Sequence, residues 1–298
     1  MTGRRGANPV SDEELTQQVA EKWVEISPLI NRLVERIGDP DDFPIRPKSA
    51  LTGDDKASTP YQVSHAAHAC LTAAVDHLHA AKTLAFDSGV LHIAAPATLA
   101  RGVIENAATG LWILSPAQRD ERIRRALKWH ARNAHDLVGS GLAPPDRTRD
   151  YYINKITAVA ARRGLDATTV RSGYQMLKVI REVDSEHPDL GGIATAWQLG
   201  SGFSHGRPWA YLGALRLETI RRPEPGVSDI RLTNDPTLAL YPILTGLFTV
   251  ERLLQIRELR AGMLRRDGIC VNLHAPLAQV SPVVWGRLLH RPRRCPRE

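Results

Sequence analysis

The chain has 298 residues, 43% of them hydrophobic and 24% charged, with a formal net charge of +7 and a sequence pI near 9.6. That is enough apolar matter for a substantial core, in one large domain or two small ones. Three widely spaced cysteines, Cys70, Cys270 and Cys295, argue against a disulfide framework or a CxxC metal motif. The N-terminus lacks the apolar stretch of a secretory signal. The run Val90–Ala100 is too short to cross a bilayer. The expectation is a soluble, cytoplasmic protein without a membrane segment.

Sparse aromatics and abundant alanine and leucine favour helices. In chain order, Ser11-Asp-Glu-Glu14 reads as a capping box. Behind it Leu15, Val19, Trp23, Ile26, Ile30, Leu33 and Ile37 form one apolar stripe, which Pro28 is expected to bend or break. The stripe serves its own domain or a protein partner. Residues 38–60, rich in Asp, Pro and Lys, read as a loop or linker. From Tyr61 helical periodicity returns, in one helix ending near Ser88-Gly89 and another over 95–114 with Pro96 in its first turn.

Ser115-Pro-Ala-Gln118 reads as the start of the next helix. Its inner face is Ile123, Leu127, His130, Ala134 and Leu137. Its outer face is Arg122, Arg125, Lys128 and Arg132, a row suited to a nucleic-acid backbone. Helices are predicted at about 151–163, 166–184, 190–204 and 236–264. Two short strands, 215–220 and 230–233, form a small β-hairpin insertion. The fold class is therefore mainly all-α: a helical bundle with a small hairpin. The chain divides into an N-terminal amphipathic helix and linker (1–60), the bundle (61–265) and a basic, disordered tail (266–298).

Three constellations carry chemistry. Arg101 and Glu105 are the two charges of a helix otherwise apolar or small all round, four residues apart and so neighbours. They pair to fix helix packing, or they face a polar pocket. Ser201 and His205 are likewise four apart, with Ser204 beside them, on a helix ending at Gly206-Arg207-Pro208. His205 is a helix cap or an acid–base group. His65, His68, Thr72, Asp76 and His79 share one helix side, but no HExxH pattern is present and the stripe reads as a polar face. No metal and no cofactor is expected.

The motifs Asp76-His-Leu78, Arg101-x-x-x-Glu105, Trp112-Ile-Leu-x-Pro116, Glu121-Arg-Ile-x-Arg-Ala126 and Ser201-x-x-x-His205-Gly206, in that order, resemble uncharacterised actinobacterial proteins similar to the HEPN helical-bundle superfamily. The resemblance covers about residues 61–262. It implies a helical bundle, often a homodimer, that binds nucleotides or RNA, in many members as a metal-independent ribonuclease of toxin–antitoxin or phage-defence systems. There an Arg lies four to six residues from the catalytic His. Here the positions before His205 are Gln198, Leu199 and Gly200. The resemblance therefore implies a non-catalytic module binding a nucleotide, nucleic acid or protein. The alternative is a ribonuclease with His205 as acid or base, Arg101 or Arg207 on the phosphate, Glu105 orienting Arg101 and Ser201 donating a hydrogen bond.

Overall fold

The structure, a computed structural model, describes residues 12–90, 92–224 and 227–263. The predicted cap Ser11 and the basic tail lie outside the described residues. Eleven α-helices and one antiparallel hairpin are described: α1 (Asp12–Gly38), α2 (Ala50–Ser58), α3 (Val63–Lys82), α4 (Ala95–Leu114), α5 (Arg119–Gly139), α6 (Arg149–Arg162), α7 (Ala167–Arg171), α8 (Met176–Glu186), α9 (Ile193–Ser204), α10 (Pro208–Ala214), β1 (Arg216–Glu224), β2 (Val227–Thr233) and α11 (Pro236–Arg260). The fold is mainly all-α with a small hairpin. A π-helical turn, Thr83–Asp87, extends α3.

The centre is α4. Alanines, Val103, Ile104, Leu111, Ile113 and Leu114 are buried along it, so it has neighbours on most sides: α3, α11, α9, α8 and α5. A helix that far from water must have its final carbonyls satisfied by protein. Two guanidinium groups, those of Arg125 and Arg260, do this, and a third, that of Arg122, serves the turn that follows. Arg125 Nη1 donates to the Trp112 carbonyl at 2.8 Å, Arg260 to those of Leu114, Ser115 and Pro116, and Arg122 Nη1 to Pro116 and Ala117 at 2.8 and 2.7 Å. Cations at this end also oppose the negative pole of the helix.

Arg122 is itself held by Asp54 of α2 through a bidentate pair at 2.6 and 2.9 Å, and Arg119 adds a third bond at 3.2 Å. Asp54 is fully buried and Arg122 nearly so. Arg122 is therefore not a surface cation, which corrects the outer-face reading. The physical reason is α2, which covers it, in a stretch expected to be a loop. α2 begins at Ser49, whose hydroxyl accepts from the Thr52 amide, and buries Leu51.

Other differences have local causes. α1 continues through Pro28, because Pro28 and Val24 lie on the solvent face, where water can reach the Val24 carbonyl that lost its donor. Ser115 belongs to the end of α4, its hydroxyl bonding the Leu111 carbonyl, and α5 starts only at Arg119. The helix predicted over 166–184 is two, α7 and α8, separated at Gly173 in a left-handed conformation. α10 was not foreseen. Residue 60 is no edge of the core: Trp23, Ile26, Ile30, Phe43 and Leu51 pack in the same cluster as Leu71 and Leu78. Arg36 and Arg257 lie over the Phe43 ring at 4.8 Å each and tie α1 to α11. α11 is long and apolar enough to span a bilayer, and most of it is buried in this core.

His130 sits against the rings of Tyr61 and Trp129, with Nε2 buried and lacking a protein partner. Burial pushes its pKa down to about 4, against an opposing hydrogen bond with the Gln62 backbone.

Two outcomes follow. Asp54→Ala strands a buried guanidinium and is expected to cost about 3–5 kcal/mol, read as a lower urea midpoint. The second concerns pH. In the unfolded chain His130 takes its proton near pH 6.5, in the folded chain near 4. Between these values the unfolded state binds more protons, so stability falls as pH drops through that window, by on the order of 3 kcal/mol from this residue. Burial lowers His68 and His187 as well, adding the same sign. In His130→Asn the slope of urea midpoint against pH should shrink; an unchanged slope would refute the assignment.

Candidate binding site

One strip of α4 escapes burial: Ala95, Thr98, Leu99, Arg101, Gly102, Glu105 and Asn106, at spacings of three and four and so on one helix side. α3 flanks one edge and α9 the other. On the α3 side the His77 ring packs against Gly102, where an added Cβ would stand 2.1 Å from His77 Cδ2. The glycine is there because the imidazole occupies the side-chain position. Asn106 Nδ2 donates to the Gly102 carbonyl at 2.9 Å.

On the α9 side Arg101 Nε donates to Glu105 Oε1 at 2.8 Å, and the Trp197 indole N–H donates to the same oxygen at 2.8 Å. The Arg101 guanidinium carbon lies 5.7 Å from the Trp197 ring centroid. Arg101 and Glu105 side chains keep 24% and 23% of their exposure, so this is a triad at the protein surface and not a sealed ion pair. Water screens it, and its worth is a few tenths of a kcal/mol to ~1.

α9 approaches closely because Gly200 crosses at Ala97 and Arg101. A Cβ there would meet the Ala97 carbonyl oxygen at 2.6 Å and Arg101 Cβ at 2.7 Å. Farther along, Ser204 Oγ lies 3.3 Å from Thr98 Oγ1 and bonds the Gly200 carbonyl at 2.8 Å. The helices thus run antiparallel, with Trp197 beside Glu105 and Ser204 beside Thr98. His205 follows Ser204 at the level of the first turn of α4, while Arg101 turns its guanidinium the other way, towards Glu105. His205 is exposed and ends α9, its backbone N–H bonding the Ser201 carbonyl at 3.1 Å. Among the described residues no hydrogen bond or ion pair joins His205 to Arg101. Ser201 is half-buried on α9, and Arg207 is exposed just before α10.

The arginine row of α5 is dispersed. Arg122 is buried. Arg125 is engaged by Glu121, Glu182 and the Trp112 carbonyl. Lys128 is half-buried, and desolvation lowers its pKa. Arg132 is exposed and paired with Asp136 at 3.0 Å. Among the described residues no group of three or more His, Cys, Asp or Glu is placed to hold a metal ion. A separate groove of about 220 Å³ between α1 and α11 is apolar apart from Thr16, lined by Val19, Trp23, Phe86 and Ile243 among others. The stripe of α1 is thus mostly spent on the core, and only its start borders open space.

Sequence reasoning named Arg101 and Glu105 but missed His77, Thr98, Asn106 and Trp197 as their neighbours. The Thr98–Gly102–Asn106 spacing was a usable signal: the non-apolar side of a buried helix. Comparison with protein-family models, curated proteins and solved structures finds no match to this chain.

Gly200→Ala should force α9 away from α4. The expected cost is about 1–3 kcal/mol, with a shift in tryptophan emission as Trp197 leaves Glu105. An unperturbed spectrum and urea midpoint would show that the close crossing is not required.

Proposed function

We propose that this chain is a HEPN-like, non-catalytic binding module whose recognition surface is the half-exposed strip of α4 between His77 and Trp197. One observation carries the reading: Arg101, the cation nearest the centre of the strip, is already neutralised by Glu105, which Trp197 holds from the other side. A phosphate-cleaving site needs a cation aimed at developing charge. A carboxylate-bound arginine beside an indole and an imidazole suits recognition of a flat, hydrogen-bonding group. The RNA or nucleotide ligand implied by the resemblance offers such a group in its bases, and a polypeptide is the other class of partner.

The alternative is the metal-independent ribonuclease. What favours it is the exposure of His205 at the end of α9, with Ser204 at Thr98 on the same side of the molecule. Arg101 would then have to release Glu105 and turn towards the substrate.

Labelled RNA, incubated with chelator, separates the two. The binding reading predicts a retained complex and intact RNA, with affinity reduced about tenfold or more in Asn106→Ala and Trp197→Ala and little changed in His205→Ala. Chelator-resistant cleavage that disappears in His205→Ala would replace this reading with the nuclease. Intact RNA with no complex would exclude RNA and leave a free nucleotide or a polypeptide as the partner.

A further inference from the structure

The hairpin stands apart from the helical core. Its base is held by Arg216, which pairs with Asp12 at 3.0 Å and Asp235 at 3.5 Å, and by Leu232, which packs on the small cluster of Ala97, Phe203, Ala210, Ala214 and Leu215. Beyond that base the ribbon has two strands only, with Leu217, Ile220 and Ile230 at 49%, 56% and 39% exposure. A two-stranded ribbon with apolar side chains in water is marginal by itself, and its free edges invite another strand.

The two edges differ. β1 carries register shifts between Thr219 and Arg221 and between Arg221 and Glu224, so it holds the extra residues, and Pro223 lies within it. Bulges and prolines are features that block pairing along an edge. β2 runs without an extra residue and contains no proline. Among the described residues its backbone makes no hydrogen bond outside the β1 ladder.

β2 is also complementary to itself. Arg231 stands opposite Glu218 and bonds it at 3.3 Å, and Asp229 stands opposite Arg221 and is ion-paired with it. If a second β2 is laid antiparallel beside the first about a two-fold axis through Ile230, Asp229 meets the second copy's Arg231. The row across four strands then reads Glu218, Arg231, the second copy's Asp229 and the second copy's Arg221, alternating in sign at every step. The two-fold axis generates the same row again on the other side. On the opposite face of the sheet the two Ile230 side chains meet across the axis and cover one another. Directly opposed pairs of this kind are the stabilising unit of a sheet.

We propose that β2 is the homodimerisation edge, pairing antiparallel with β2 of a second copy of this chain in a continuous four-stranded sheet with isologous contacts. Pairing through β1 about Ile220 would set Glu218 opposite Arg222, but the bulges and Pro223 interrupt that ladder. This interface is independent of the α4 strip and stands whatever that strip binds.

The test uses the full chain with Cys270→Ser and Cys295→Ser. Cys70 remains, buried, with its thiol pushed up to about 12. Directly opposed residues of an antiparallel pair have Cα atoms about 4.5–5.5 Å apart, within disulfide range. Ile230→Cys should therefore give a covalent dimer under mild oxidation, and Ile220→Cys should not. Sedimentation of the wild type should give twice the 32.9 kDa chain mass. Asp229→Arg should weaken that dimer by about tenfold or more with an unchanged circular dichroism spectrum, because it faces a like charge in both rows. Crosslinking through Ile220→Cys in place of Ile230→Cys would overturn the proposal, as would a monomer at all concentrations to about 100 µM.

Discussion

The final carbonyls of α4 are the constraint around which the rest is arranged. This helix is the most enclosed element of the fold, and its C-terminal groups end in a region where protein, not water, must bond them. Arg125 and Arg260 supply donors from two different helices, and Arg122 bonds the carbonyls of Pro116 and Ala117 in the turn that follows. Each arginine then needs its own counter-charge or shelter. Asp54 gives it to Arg122, which fixes α2; Glu182 gives it to Arg125, which fixes α8. The placement of several helices follows from one helix end.

The same enclosure produces the candidate site. With one end of α4 tied and three of its sides packed, the remaining side is presented at a fixed angle between α3 and α9. Polar residues there do not have to hold the fold together and are still held rigidly, which favours recognition over a moving catalytic group. Glu105 is the pivot: it serves Arg101 on its own helix and Trp197 on the next, and so joins the strip to the neighbouring helix.

Much of the architecture was legible in the sequence. α4 lies where the sequence places it, at about 95–114, because Pro96 marks its first turn and its apolar character is continuous. The neighbourhood of Arg101 and Glu105 followed from helix geometry alone. Trp197 did not, because it meets Glu105 across 92 residues of sequence, and no local pattern encodes that. Two misreadings had one origin. Residues 50–58 are mostly polar and contain Gly53, so they lack helical periodicity; the Ser49 cap, the burial of Leu51 and the contact of Asp54 with Arg122 make them a helix. Without that helix, Arg122 falls on the outer side of α5 by periodicity. The pair is intelligible only together, since each residue owes its environment to the other. The resemblance to HEPN proteins rests on short motifs in the sequence.

Arg260 reaches the Leu114 carbonyl across 146 residues, and Arg36 bonds Glu258 across 222. During synthesis the ribosome delivers α4 long before the donor that completes its last turn. Until α11 emerges, the nascent chain holds an apolar helix with uncovered sides, and water bonds the carbonyl that Arg260 later takes. Native topology is therefore reached only after α11 has emerged, in a step that closes very long loops. In that interval the nascent chain is a natural client for chaperones that bind exposed apolar segments.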